Sequence, residues 1–242
     1  FMTIADNIRD DGFFIIKNFF SDEASSLVKK DILDCFEKVN ENSFAVTENG
    51  VIENEPGGGF PQGKNVRIMP SSYEVIPNIV KQVFESEIVN TTIDEYYGQS
   101  CKRFLQVFAS WEKRVVTNEN LGRHSWLHAD PYAALKFAFF PFGATKDNGA
   151  PMVVPKSRAE GKIIREQFMS RGPRGIQGGI AHRMVDFQQY CPQLITRNED
   201  EAVHAEVSPR DLLVLDTDTY HAGGKIVEEN KQRIAVYIHN RP

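Results

Sequence analysis

A histidine and an aspartate two positions apart, His128-Ala129-Asp130, are the first residues in this sequence whose types and spacing could do chemistry. On an extended strand that spacing turns both side chains to one face. Alone such a pair is a weak signal, and a third residue strengthens it. His221 stands much later in the chain, after the apolar run Leu212 to Leu215 and the polar stretch Asp216 to Tyr220. A distant strand can thus close a set of two histidines and one carboxylate. That set fills three positions around a metal ion and leaves three open for a bidentate cosubstrate and dioxygen, as in non-haem Fe(II) oxygenases. Arg233, at the head of the run Arg-Ile-Ala-Val-Tyr-Ile-His, could hold the far carboxylate of that cosubstrate as a bidentate pair. A divalent ion, Asp130 and a dicarboxylate leave one negative charge, which Arg233 cancels, so the assembly can be buried without net charge.

Competing constellations are weaker. His204-Ala205-Glu206 is also a histidine–acid pair, but the turn Ser208 to Asp211 separates it from His221 by only a short stretch; adjacent-strand pairing would be needed to unite them. His124 and His128 have the spacing of a zinc-protease helix, yet Ser125 stands where the general-base glutamate belongs. The glycine-rich stretches Gly57 to Gly63 and Gly172 to Gly179 lack the Gly-Lys-Ser/Thr ending of a phosphate-binding loop, and no Gly-x-Ser-x-Gly motif is present.

The elements that must position these residues can be read from periodicity. Asp22 to Val39 has apolar residues near a 3.6-residue period and predicts an amphipathic helix, opened by Ser21. Gly12 to Phe20 reads as a buried strand, and Pro77 to Tyr97 predicts a second helix. Glu53 to Pro70, with Gly57, Gly58, Gly59, Pro61 and Gly63, reads as a loop. From Lys102 the pattern changes to short strand-like runs: Phe104 to Ala109, Lys136 to Phe140, Met152 to Val154, Leu212 to Leu215 and Arg233 to His239. Asn148-Gly149 and Ser208-Pro209-Arg210-Asp211 are turn sequences. A single α+β, mainly β domain over 1–242 is expected, with 1–100 as a mostly helical cover and 101–242 as the core.

Composition bounds the function. The chain has 242 residues and a net charge of −5, enough length for one large core and no basic field for nucleic acid or a membrane surface. No apolar run reaches the roughly 20 residues of a bilayer span, and no secretory signal is visible in the first residues. Cys35, Cys101 and Cys191 are odd in number and lack a Cys-x-x-Cys, the usage of a reducing cytosol, so a cytoplasmic protein, monomer or homodimer, is expected.

Several segments together resemble the phytanoyl-CoA dioxygenase-like family of Fe(II)- and 2-oxoglutarate-dependent oxygenases. They are Gly12 to Ile16, Trp126-Leu127-His128-Ala129-Asp130, the run from Asp147 to Ser157, His221-Ala222-Gly223-Gly224, and Arg233, in the family's order from about residue 10 to the end. Lys156 and Arg158 depart from the family's usual glycine and histidine, and Gly223 stands where many members carry a serine or threonine that assists the arginine. The resemblance implies a double-stranded β-helix, a cupin-like jelly roll, with N-terminal helices on one side and iron at the barrel mouth. It gives the metal-ligand roles to His128, Asp130 and His221, the 2-oxoglutarate role to Arg233, and a cosubstrate contact to Gln106. The implied reaction consumes dioxygen and 2-oxoglutarate, releases succinate and carbon dioxide, and hydroxylates an aliphatic C–H. A carboxylate at 130, where related halogenases have a small residue, favours that outcome over halogenation. Desaturation, epimerisation and cyclisation use the same triad.

The substrate expectation is a small molecule with an anionic group. Lys64 and Arg67 in the first glycine-rich stretch, and Arg171 and Arg174 in the second, are its candidate contacts. Trp126 and Tyr132, with Trp111 and Phe137, are candidate pocket walls. Two other classes stay open: a metal-binding jelly roll of different chemistry that needs no Arg233, and a non-catalytic binding module.

Overall fold

The computed structural model describes residues 2–38, 45–47, 50–53, 64–98, 103–112, 127–130, 132–166, 182–183, 196–228 and 231–241. The first ten residues, for which no element was read from the sequence, contain most of helix α1 (Ile4–Asp11); Thr3 and Asp6 form a reciprocal capping box at its start, and Gly12 ends it. Strand β1 (Phe13–Ile16) is therefore shorter than the run Gly12 to Phe20 suggested. Helix α2 (Asp22–Lys38) forms as expected, with Ser21 Oγ accepting from the Ala24 N–H at 3.1 Å and Val28, Ile32, Cys35 and Phe36 buried.

The stretch read as a loop from Glu53 to Pro70 carries the end of a hairpin and a further strand. β2 (Ala45–Thr47) pairs with β3 (Gly50–Glu53), which pairs with β4 (Lys64–Ile68). The predicted helix from Pro77 to Tyr97 is broken in two. α3 (Pro77–Ile79) runs into a π-helical turn (Val80–Phe84), and α4 (Glu87–Tyr97) starts afresh after Ser86. The start of α3 is anchored from α2: buried Asp31 accepts the N–H groups of Asn78 and Ile79 at 2.8 and 3.1 Å, satisfying donors of its first turn.

The remaining elements build the barrel. They are β5 (Arg103–Glu112), β6 (His128–Ala129), β7 (Leu135–Phe139), β8 (Met152–Val153), α5 (Arg158–Ile164), β9 (His182–Arg183), β10 (Val203–His204), β11 (Leu212–Asp216), β12 (His221–Ala222) and β13 (Arg233–Arg241). An antiparallel sheet in the order β1-β11-β7-β13-β5-β4-β3-β2 faces a smaller one in the order β10-β8-β12-β6-β9. This is the expected double-stranded β-helix, mainly β with helices.

Alternation along the large sheet sorts its side chains into two cores. Val66, Ile68, Val107, Ala109, Leu135, Phe137, Phe139, Val214, Ile234, Val236 and Ile238 pack with α2 and α4 residues such as Val28, Ile32 and Ile93. Ala138, Phe140, Leu213, Leu215 and Ala235 face Val153 and Ala150 inside the barrel. The same parity turns Arg67, Gln106, Lys136, Arg233, Tyr237 and His239 into the interior, where they line one cavity.

One local departure has an energetic consequence. Exposed Lys156, in the turn between β8 and α5, has φ +63°, a left-handed conformation that costs a side-chain-bearing residue about 1 kcal/mol or more. Lys156→Gly is expected to raise unfolding free energy by up to about 1 kcal/mol after glycine's greater unfolded-state entropy is counted, and chemical denaturation of the two proteins checks it.

Candidate functional site

β6 and β12 lie side by side in the small sheet with His128 directly opposite His221. Asp130 follows β6 and is anchored by its N–H, which donates to Thr217 O at 2.9 Å. Asp130 Oδ1 lies 3.6 Å from His128 Nε2 and 3.7 Å from His221 Nε2, and one ligand atom from each residue falls within 4.8 Å of the others. All three residues are buried. His221 Nδ1 is 2.8 Å from Thr219 O, a partner that can only accept, so the proton belongs on Nδ1 and the lone pair on Nε2 faces the triad. This donor set fits a divalent ion, two imidazole nitrogens and a carboxylate converging with room on the cavity side.

The turn between β11 and β12 does this positioning. Its residues Asp216, Thr217, Asp218 and Thr219 are all buried. Thr217 Oγ1 donates to Tyr132 O at 2.7 Å and accepts from Ala134 N–H at 2.8 Å, which ties the segment after Asp130 to the segment before His221. Arg165 at the end of α5 grips Asp218 at 2.5 and 2.9 Å. Arg158, which stands where the resembled family has histidine, donates to Asp216 and to Tyr96 OH, and Tyr96 OH in turn donates to Asp216.

Lys136 was not singled out from the sequence. Its ammonium sits 2.8 Å from Asp130 Oδ2 and 3.0 Å from His221 Nε2. Burial alone would raise the Asp130 carboxyl, but the Lys136 ammonium, with His221 and His128, holds it well below the usual carboxylate range. Burial and then Lys136 push His221 well below the usual imidazole range, which keeps it neutral. His239, on the same cavity wall, is lowered to about 3 by burial first and Lys136 second.

Arg233 closes the far side of the cavity, whose volume is about 300 Å³. It is 1% exposed, and its Nη2 donates to Glu112 Oε1 at 2.7 Å across the β13–β5 register. Its Nη1 donates to Gly224 O at 2.9 Å and also to Gly149 O. The Asn148-Gly149 turn forms as predicted, with Gly149 at φ +93°, and a Cβ there would come within 3.0 Å of Arg233 Nη1. Glu112 and two carbonyls thus hold the guanidinium where the sequence offers no hydroxyl at Gly223. Arg233 Nε is buried without a protein partner, an orphaned donor that fits a carboxylate entering the cavity. Burial would lower the Arg233 pKa, but Glu112 raises it above its ordinary value.

The other expected residues divide. Gln106 lines the cavity and lies 3.3 Å from His239 Nδ1, and Arg67 lines it too. Tyr132 is not a cavity wall: its ring lies under the Arg241 guanidinium at 3.5 Å and edge-on to His239. Trp111 faces the helices, packed on Phe36, and Phe137 is in the helix-facing core. Lys64 is described by its place opposite Trp111 in the β4–β5 ladder. Trp126, Arg171 and Arg174 lie outside the described residues. Glu206 is exposed and accepts from Lys146 N–H, away from the triad. Glu112 shares the alternation parity of Gln106 on β5, whereas Lys136 has the parity opposite to Phe137, the residue singled out on β7, so no signal of this kind points to it.

Comparisons with known proteins give the family and the fold. The family model described as phytanoyl-CoA dioxygenase (PhyH) matches residues 8–230. Among solved structures, the epimerase SnoN in complex with Fe3+, alpha ketoglutarate and nogalamycin RO aligns with a TM-score of 0.63 at 10% identity, covering 98% of this chain and 81% of that one. The carbocyclase SnoK from nogalamycin biosynthesis aligns at 0.61, with 13% identity and coverage of 98% and 82%. EctD from S. alaskensis with bound Fe aligns at 0.59, with 14% identity and coverage of 98% and 75%. No curated protein matches the sequence.

The Glu112–Arg233 pair carries a stability prediction. Glu112→Ala strands a buried guanidinium and is expected to cost about 3–5 kcal/mol, whereas the double variant Glu112→Leu/Arg233→Met is expected to recover most of that loss. Urea unfolding of the single and double variants is the measurement; equal losses in both would show that the pairing is not what stabilises this end of the barrel.

Proposed function

The chain belongs to the phytanoyl-CoA dioxygenase family of Fe(II)- and 2-oxoglutarate-dependent oxygenases, and from that membership we propose that it hydroxylates an aliphatic C–H of a small molecule at a centre held by His128, Asp130 and His221. The observation that carries the reading is the convergence of three ligand atoms within 4.8 Å on a cavity that also holds Arg233. Fe(II) held by His128, Asp130 and His221 would, with 2-oxoglutarate and dioxygen, supply the oxidising power for the C–H bond, one oxygen atom going to succinate formed with carbon dioxide and the other to the substrate. The protein's part is placement. His128 and His221 offer imidazole nitrogens, Asp130 offers a carboxylate that burial does not neutralise, and Arg233 offers its unshared Nε to the distal carboxylate of the cosubstrate. Apolar Ala138, Leu213 and Leu215 exclude water from the wall beside it.

The substrate is proposed to carry an anionic group, received by Arg67 at the cavity wall. Gln106, bonded to His239, is proposed to touch the cosubstrate. Epimerisation and ring closure are activities named for SnoN and SnoK, which share this fold, and product analysis with a true substrate separates them from hydroxylation.

The test is anaerobic addition of Fe(II) and then 2-oxoglutarate to metal-stripped protein. A weak visible charge-transfer band should appear, be lost in Arg233→Ala and in His221→Ala, and persist in Arg241→Ala. Slow succinate release should follow admission of air. Absence of both signals from the wild-type protein would sink the oxygenase reading and leave a non-catalytic module.

A further inference from the structure

The ammonium of Lys136 makes its two closest contacts to Asp130 Oδ2 and His221 Nε2, and two of the three residues proposed as metal ligands are thereby already engaged. His221 Nε2 has one lone pair. A metal ion and the ammonium cannot both use it, so a metal that binds there must displace Lys136.

Where the ammonium goes is constrained by the strand that carries it. Lys136 is the second residue of β7, flanked by Leu135 and Phe137 in the helix-facing core, so its side chain stays inside the barrel. Its neighbours on the wall are His239, opposite it in the β7–β13 ladder, and Tyr237, whose ring centre is 5.8 Å from Nζ. Among the described residues lining the cavity none is a carboxylate, so beyond Asp130 the displaced ammonium meets no anion among them. A buried ammonium without an anion is costly.

The charges indicate what supplies one. Glu112 is paired with Arg233, and, with Arg67 assigned to the substrate's anionic group, a divalent ion, Asp130, Arg233, Glu112 and a dicarboxylate together leave one negative charge over. Lys136 cancels it. Resting on the metal-centre reading above, we propose that Lys136 is an exchangeable cation: it holds the place of the metal between Asp130 and His221, and once displaced it becomes a second cationic anchor, beside Arg233, for 2-oxoglutarate.

This predicts effects of opposite sign from one substitution. In Lys136→Met the competitor is gone, so Ni(II), which suits the same donors, should bind about tenfold or more tighter by calorimetry. With Ni(II) saturating, 2-oxoglutarate should bind about tenfold or more weaker, the scale of one charge-assisted hydrogen bond. Lys136→Gln, which keeps a donor without the charge, should move both constants the same way and serves if the methionine variant does not fold. Exposed Lys231→Met should move neither. Unchanged or weaker Ni(II) binding, or unchanged 2-oxoglutarate binding, in a folded Lys136 variant overturns the proposal while leaving the metal centre intact. A wild-type protein that binds neither Ni(II) nor 2-oxoglutarate overturns the centre itself.

Discussion

The buried carboxylates in and around the barrel have almost no water to solvate them, and their pairing is the constraint on which the rest of the architecture depends. Glu112 meets Arg233, Asp130 meets Lys136, Asp216 meets Arg158 and Asp218 meets Arg165. Three of the pairs join elements far apart in the chain, β5 to β13 and the β11 end to both ends of α5, and the fourth joins the β6 end to the neighbouring β7. Removing one member would leave a buried charge, which costs more than the pair contributes. The pairs therefore act less as stabilising contacts than as conditions the fold must meet, and the register of β13 against β5, with Arg233 opposite Glu112, meets the first of them.

The turn between β11 and β12 shows how that constraint reaches the metal ligands. Asp216 and Asp218 are fixed by two arginines of the α5 region, and between them Thr217 bonds on both sides to the chain that follows Asp130. α5 can approach closely only because Gly161 faces the turn, where a Cβ would lie 1.7 Å from Asp218 O. His221 emerges two residues later with its ring already oriented by Thr219 O. The ligands thus owe their geometry to contacts made by residues that touch no metal, as metal sites generally require.

How much of this was legible in the sequence follows from the range of each signal. His128, Asp130, His221 and Arg233 could be found because short spacings and neighbouring turn residues mark them. Lys136 and Glu112 could not be found that way. Each is a single charge in an otherwise ordinary strand, and its meaning comes from a cross-strand partner, His239 or Arg233, that only the register supplies. β4 was hidden by the glycines before it, although Val66, Arg67 and Ile68 alternate as a strand should. The helix from Pro77 to Tyr97 kept its apolar stripe across a break at Ser86, whose extended backbone leaves no mark in the periodicity.

Arg233 illustrates why pairing and ligand binding are not in conflict. A guanidinium wholly spent on protein acceptors could not recognise a carboxylate, and one wholly unpaired could not be buried at 1% exposure. The five donors of arginine permit a division: Glu112, Gly149 and Gly224 take Nη1 and Nη2, and Nε remains unpartnered. The cost of that division is that Arg233 brings little net charge to an incoming dianion, because Glu112 already cancels it. Further positive charge has to come from elsewhere on the wall, and Lys136 and Arg67 are the cations available among the described lining residues. If metal binding frees the first of them, the affinities for metal and for dianion are linked, and by reciprocity each raises the other. An anion would then gain little from the cavity before the metal is in place, which favours filling in a fixed order without any moving lid.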